Sequence, residues 1–142
     1  MQLPDVNVLI NAFRADAPAH RRYQSWLEQL LSGDQRFALS ELVLSAVVRI
    51  LTDRRIYAQP ETSEAAFGYA EFLKNQPLGI VVQPGPRHWQ IFSRLCKEGD
   101  VRGGMVSDAY HAALAIEHGC EWITADKHFA RFPGLRWRHP FD

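Results

Sequence analysis

The sequence predicts an α/β sandwich with a small, mostly parallel central sheet. Three observations predict it. Short β-rich apolar runs alternate with segments of helical period along the 142 residues. Prolines and glycines punctuate the intervals, and no linker, repeat or low-complexity tract interrupts them. Acids follow two of the strand candidates, at Asp5 and Asp126, where an open α/β sheet places its ligand rim.

Each element has its own signal. Residues 2–4 form a first strand leading into Asp5, and Asn7 to Phe13 a short helix. His20 to Leu31 is an amphipathic helix, because Tyr23, Trp26, Leu27, Leu30 and Leu31 recur at i, i+3, i+4, i+7 and i+8. Ser32-Gly33-Asp34 stops it. Arg36 to Leu39 is a short strand. Ser40 then N-caps a helix reaching Leu51, with Val43, Val47, Ile50 and Leu51 on one face. Thr62 or Ser63 caps a further helix running to Lys74. Leu78 to Val82, bracketed by Pro77 and Pro84, is the next strand, and Pro86 fits the first turn of a helix carrying Trp89, Phe92 and Leu95. Ser107 caps a helix with a buried stripe of Ala109, Ala112, Ala113 and Ile116, which Gly119 ends in a left-handed conformation. Cys120 to Thr124 is a strand, Ala125-Asp126 its loop, and Leu135 to Trp137 a final short strand.

Composition excludes several classes. At 46% apolar and 23% charged residues the chain is neither disordered nor collagenous. The longest uncharged stretch, Asn75 to Pro86, has 12 residues and three prolines, too short for the roughly 20 apolar residues of a membrane span. Met1-Gln-Leu-Pro-Asp5 has no basic start before an apolar core, so no signal peptide is expected. Cys96 and Cys120 lack a CxxC partner and read as reduced thiols. The expectation is one cytoplasmic domain over residues 1–142. Sixteen basic and sixteen acidic residues cancel, so the whole-molecule field does not announce a nucleic-acid binder. Basic charge is local: Arg21-Arg22, Arg54-Arg55, and Lys127, Arg131, Arg136 and Arg138 near the C-terminus.

Four acids occupy special places. Asp5 and Asp126 follow strands, Glu41 opens the helix after Ser40, and Asp108 lies in the first turn of the alanine-rich helix. Each alone has an ordinary explanation, since helix first turns favour acids and Asp is a common turn residue. Together they fall where strand ends and helix starts meet on a sheet rim. Converging carboxylates repel, and hard oxygen ligands of this kind suit Mg²⁺ or Mn²⁺. Such ions suit phosphodiester hydrolysis and give a neutral protein a local attraction for a polyanion.

Three segments carry a resemblance to a family. Leu3-Pro-Asp5-Val-Asn7-Val-Leu-Ile10 resembles the opening motif of PIN-domain proteins. The segment from Ser107-Asp108 through His111 to Gly119 resembles their third-acid helix, and Trp122-Ile-Thr-Ala-Asp126-Lys-His-Phe-Ala-Arg131 through Trp137 their closing segment. Leu39-Ser-Glu41 through Thr52 resembles the middle segment of VapC toxins of type II toxin–antitoxin pairs. The resemblance implies a PIN-like α/β/α sandwich and a Mg²⁺- or Mn²⁺-dependent endoribonuclease. Such an enzyme hydrolyses RNA of the tRNA or rRNA class, leaving a 5′-phosphate and a 3′-hydroxyl. It inhibits translation and growth, is neutralised by a cognate VapB-like antitoxin and is dimeric. It carries over Asp5, Glu41, Asp108 and Asp126 as catalytic acids, with Asp5, Asp108 and Asp126 on the metal and Asn7 and Thr124 behind them.

Two positions depart from the family pattern. Many relatives place the second acid about five residues further into the helix, where this chain has Ala46; that shift turns a helix by about 140° net. The usual second Asp of the closing motif is replaced by His128. Arg49, Arg54, Arg55, Lys127, His128 and Arg131 are candidates for positioning the RNA backbone, which would not read sequence. A groove between the His20–Leu31 and Ser40–Leu51 helices is a candidate antitoxin seat. Two other readings are weighed. One is a PIN-like RNA- or protein-binding module without turnover. The other is a haloacid-dehalogenase-type phosphatase, which Asp5-Val-Asn7-Val matches only in part, with Asn7 and Leu9 in place of its second Asp and its Thr.

Overall fold

A computed structural model describes residues 1–142. It contains β1 (Gln2–Pro4), α1 (Val6–Phe13), α2 (His20–Ser32), β2 (Phe37–Ser40), α3 (Glu41–Leu51), α4 (Ser63–Lys74), β3 (Gly79–Val82), α5 (His88–Glu98), α6 (Met105–Glu117), β4 (Glu121–Ile123), a 3-10 turn (Lys127–Arg131) and β5 (Trp137–Arg138). Every strand pair is parallel: β1 with β4 (Leu3 opposite Trp122), β4 with β5, and β2 with β3. The β2–β3 pair lies beside β1 without a ladder between them. The spatial order is therefore β3, β2, β1, β4, β5, and the chain reverses direction across the sheet between β1 and β4.

Caps set the helix starts. The Asp5 carboxylate accepts the Val6 N–H, Ser40 Oγ accepts the Val43 N–H, and Thr62 Oγ1 accepts the Ala65 N–H. α1 packs on α2 and α3, α3 on α4, and α5 on α6, which gives the helical layers of the sandwich. The core is one cluster in which Leu3, Trp122, Phe37, Leu9 and Phe129 are fully buried. Both cysteines are free thiols, with Cys120 buried. No helix is long and apolar enough to cross a membrane.

The structure corrects three local expectations. Ser107 does not cap α6; the helix begins two residues earlier, after Gly103 turns the chain at φ +61°. Its buried stripe is Ala109, Ala112, Ala113, Leu114 and Ala115, while Ile116 is only half-buried. Pro86 stands before α5, because the Glu117 carboxylate accepts the N–H groups of Gly85 (2.7 Å) and Arg87 (2.9 Å) and holds that corner as a separate turn. Nor do α2 and α3 pack directly on each other as a two-helix groove would need; α1 packs against both.

Candidate active site

β1, β4 and β5 run the same way, as do β2 and β3, and one groove is lined by residues at the ends of β2 and β3 and the start of α6. β1 ends at Asp5, β4 at Thr124–Asp126, β2 at Ser40–Glu41 and β3 at Gln83. Asp5 and Asp126 flank the point between β1 and β4 where strand order reverses, the place where open α/β sheets bind ligands.

A hydrogen-bond network fixes this corner. Asp5 is buried; its Oδ1 accepts from Val6 N (2.6 Å), and its Oδ2 accepts from Thr124 Oγ1 (2.6 Å) and Asn7 Nδ2 (3.1 Å). The Asn7 carbonyl accepts the Ala125 N–H at 3.1 Å. Thr124 Oγ1 also accepts from Asp126 N (3.0 Å) and Asn7 Nδ2 (3.2 Å), so its one proton and two lone pairs are all engaged. Asn7 and Thr124 thus tie Asp5 to the loop that carries Asp126. Asp126 Oδ1 takes both the backbone N–H of His128 (2.9 Å) and its Nδ1 (2.8 Å), leaving the other oxygen free.

The acids of this corner act on one another through their charges. Burial pushes the Asp5 carboxyl up to about 6, further raised by the charges of Asp108 and Asp126 and opposed by the bonds from Thr124 and Val6. Asp108 is also raised, first by desolvation and then by Asp126, with His128 and Arg131 pulling the other way. It accepts no hydrogen bond that would offset this. Asp5, Asp108 and Asp126 therefore share one field. No three acidic, histidine or cysteine side chains stand close enough to grip one ion together. Mg²⁺ commonly keeps several waters and is held by one or two carboxylates plus substrate phosphate. A free oxygen on Asp126, an unpartnered Asp108 and a spare lone pair on Asp5 fit that mode of binding.

These residues and their order match a family. A PIN domain model covers residues 3–135. The chain belongs to the PIN-domain family. VapC ribonuclease Mb2897 of Mycobacterium bovis is 40% identical over 138 residues, 97% of this chain and 94% of that protein. Ribonuclease VapC25 of Mycobacterium tuberculosis is 39% identical over 140 residues, 99% of each. The fold is similar to VapBC2 from Rickettsia felis bound to a promoter DNA fragment, with a TM-score of 0.71 at 16% identity over 97% of both chains.

Within this PIN fold the other predicted residues separate into two groups. Lys127, His128 and Arg131 lie on the 3-10 turn beside Asp126, all exposed, and the charge of Arg131 reaches Asp108. Arg49 is eight residues along α3 from the rim, about 12 Å at 1.5 Å per residue. Arg54 and Arg55 lie beyond that helix, and Arg55 is spent on Asp53, whose carboxylate takes its N–H (2.8 Å) and guanidinium (3.2 Å). The structure does not bring these three arginines to the acids. Glu41 stands on the rim but turns toward α4, where Lys74 Nζ meets its Oε2 at 2.8 Å. Its charge does not figure among those acting on Asp5 or Asp108. Nothing local marks this partner in the sequence, because Lys74 lies 33 residues away at the end of another helix.

Proposed function

We propose that residues 1–142 form a single PIN-like toxin domain, a VapC-type endoribonuclease that cleaves RNA with the help of Mg²⁺ or Mn²⁺. The observation that carries this is the Asp5–Asn7–Thr124–Asp126 network at the strand-order reversal, with the unpartnered Asp108 carboxylate sharing its field. Asp5, Asp108 and Asp126 would hold the ion. Bound there, the ion supplies Lewis acidity that strengthens water as a nucleophile and neutralises charge on the phosphate. Asn7 and Thr124 keep Asp5 oriented. Lys127, His128 and Arg131 stand where they can meet the RNA backbone and set its position. In-line attack by water leaves a 5′-phosphate and a 3′-hydroxyl.

The reading extends to partners and place. A cytoplasmic RNA of the transfer or ribosomal class is the substrate, and a VapB-like antitoxin neutralises the enzyme. A homodimer is supported by large apolar side chains left exposed on α3 and α4, namely Leu42 (46%), Phe67 (56%) and Phe72 (53%). Purified chain free of any partner is the test, with structured RNA and Mg²⁺ or Mn²⁺. Asp5→Asn, Asp108→Asn and Asp126→Asn should each lose about a thousandfold in cleavage rate. Glu41→Gln, whose parent carboxylate is tied to Lys74, should lose about tenfold or less. Wild type inert under these conditions would favour a binding module without turnover.

A further inference from the structure

A groove of about 590 Å³ opens along the same rim, between the start of α3, the end of β3, α5 and α6. Its walls include Leu42, Val82, Phe92 and Tyr110, and its edges include Gln83 and Ser107. Ser107 immediately precedes Asp108 in the first turns of α6, so the groove and the carboxylate site share one end of that helix. Its size falls within the roughly 300–1,000 Å³ of small-ligand sites.

Two features of the groove identify its occupant. Two aromatic rings line the groove: Tyr110 and Phe92 meet edge-to-face at 5.2 Å, nearly perpendicular, so one can offer its face while the other closes the side, and Trp89, 70% exposed, stands beyond Phe92 at 5.4 Å. Ser40 and Glu41 at one end of the groove are engaged by Val43 and Lys74, whereas the rim groups at its other end are uncommitted. Gln83 and Tyr110 use their backbone carbonyls, bound by His118 Nε2 (2.7 Å) and His88 Nε2 (3.0 Å), while their side-chain amide and hydroxyl are free. The Ser107 hydroxyl is free as well. An aromatic ring face edged by free donors and acceptors suits a nucleobase, which needs both a stacking face and partners for its edge. An aliphatic peptide side chain would use the apolar wall and leave the rim groups to water.

The wall is also built in advance. Glu117 holds the Gly85–Arg87 corner, and His118 holds the Gln83 carbonyl, so the last residue of α6 and the one after it fix the position of Gln83. Loops held this way lose little entropy on binding.

We propose that this groove seats one unpaired base of the RNA substrate beside the scissile phosphate, stacked on the ring of Tyr110 with Phe92 closing the side and Gln83 as the reader of its edge. The proposal rests on the nuclease reading, and its test separates the two. An unstructured RNA pool, randomised in sequence, is cut by wild type, Gln83→Ala and Tyr110→Phe, and the ends are sequenced. In parallel, the Gln83 side-chain amide is followed by ¹H–¹⁵N NMR in chelating buffer as each of the four ribonucleoside 5′-monophosphates is added.

Wild type should prefer one base at a single position next to the cut, and Gln83→Ala should reduce that preference about tenfold. The preferred monophosphate alone should shift the Gln83 amide in a saturable way. A base-selective shift without any RNA cleavage would uphold the groove and remove the nuclease. Cleavage with the same base profile in all three proteins, and no shift with any nucleotide, would overturn the groove and leave the nuclease standing. A stronger shift with the apolar peptide acetyl-Leu-Leu-Trp-amide than with any nucleotide would assign the groove to a protein segment and also overturn the proposal.

Discussion

Thr124 shows how much one hydroxyl can carry. It is fully buried, donates to Asp5 and accepts from Asp126 and Asn7. Thr124→Val should cost about 2–3 kcal/mol by urea unfolding, because an ionised acceptor loses its donor inside the fold and two N–H groups lose an acceptor; Thr124→Ser should restore most of it. Asp5 makes a separate prediction. Its carboxyl, near 6 when folded, lies above the ordinary 3.8. The folded chain thus holds the proton more tightly than the unfolded one, and this contribution to stability is full below about pH 4 and is lost as pH rises through 6. In chelating buffer, wild type should lose up to about 3 kcal/mol relative to Asp5→Asn between pH 4 and 7.5. Adding Mg²⁺ at pH 7.5 should raise the wild-type Tm and leave that of Asp5→Asn unchanged. A pH-independent difference between the two proteins would refute the burial argument.

At the scale of elements, α6 is the structural hinge of the site. It brings Asp108 to the rim while Ala109, Ala112, Ala113 and Ala115 sit without any exposed surface against their neighbours. Ala113→Leu should cost about 1–3 kcal/mol or more through overpacking and should lower cleavage as well, since the helix can make room only by moving Asp108. Elements were readable where caps and periodicity agree. Ser40 with Val43, Val47 and Leu51 defined α3, and Gly119 at φ +65° closed α6 as its sequence position required. The Asp5, Asp108 and Asp126 positions were likewise legible, because strand ends and a helix start leave local marks. What escaped the sequence depends on distant pairings: Lys74 with Glu41, and Glu117 with the Gly85–Arg87 corner. Neither ion pairs nor carboxylate–backbone latches across 30 residues have a local signature. The start of α6 was misplaced because Ser107 reads as a cap only if the turn at Gly103 is unknown.

For the whole molecule, zero net charge combined with a carboxylate pocket means that the proposed nuclease would draw RNA through a cation held by its acids and through the Lys127–Arg131 turn, not through a general field. The exposed apolar residues of α3 and α4 give the assembly prediction: wild type should elute as a dimer in multi-angle light scattering, and Phe67→Asp with Phe72→Asp should make it a monomer with unchanged circular dichroism. The sheet adds a consequence of its own. Because β1 and β2 share no ladder, the sheet falls into two parts, one ending at Asp5 and Asp126, the other at Ser40 and Gln83. No strand bond crosses that seam; past the end of β3 the ties are side chains, His118 on the Gln83 carbonyl and the Glu117 carboxylate on the Gly85–Arg87 corner. Substitutions at those two tethers would alter the reach from Gln83 to Asp126 without breaking a single strand bond, so the spacing between the proposed cutting and base-seating residues can be retuned while the sheet stays as it is.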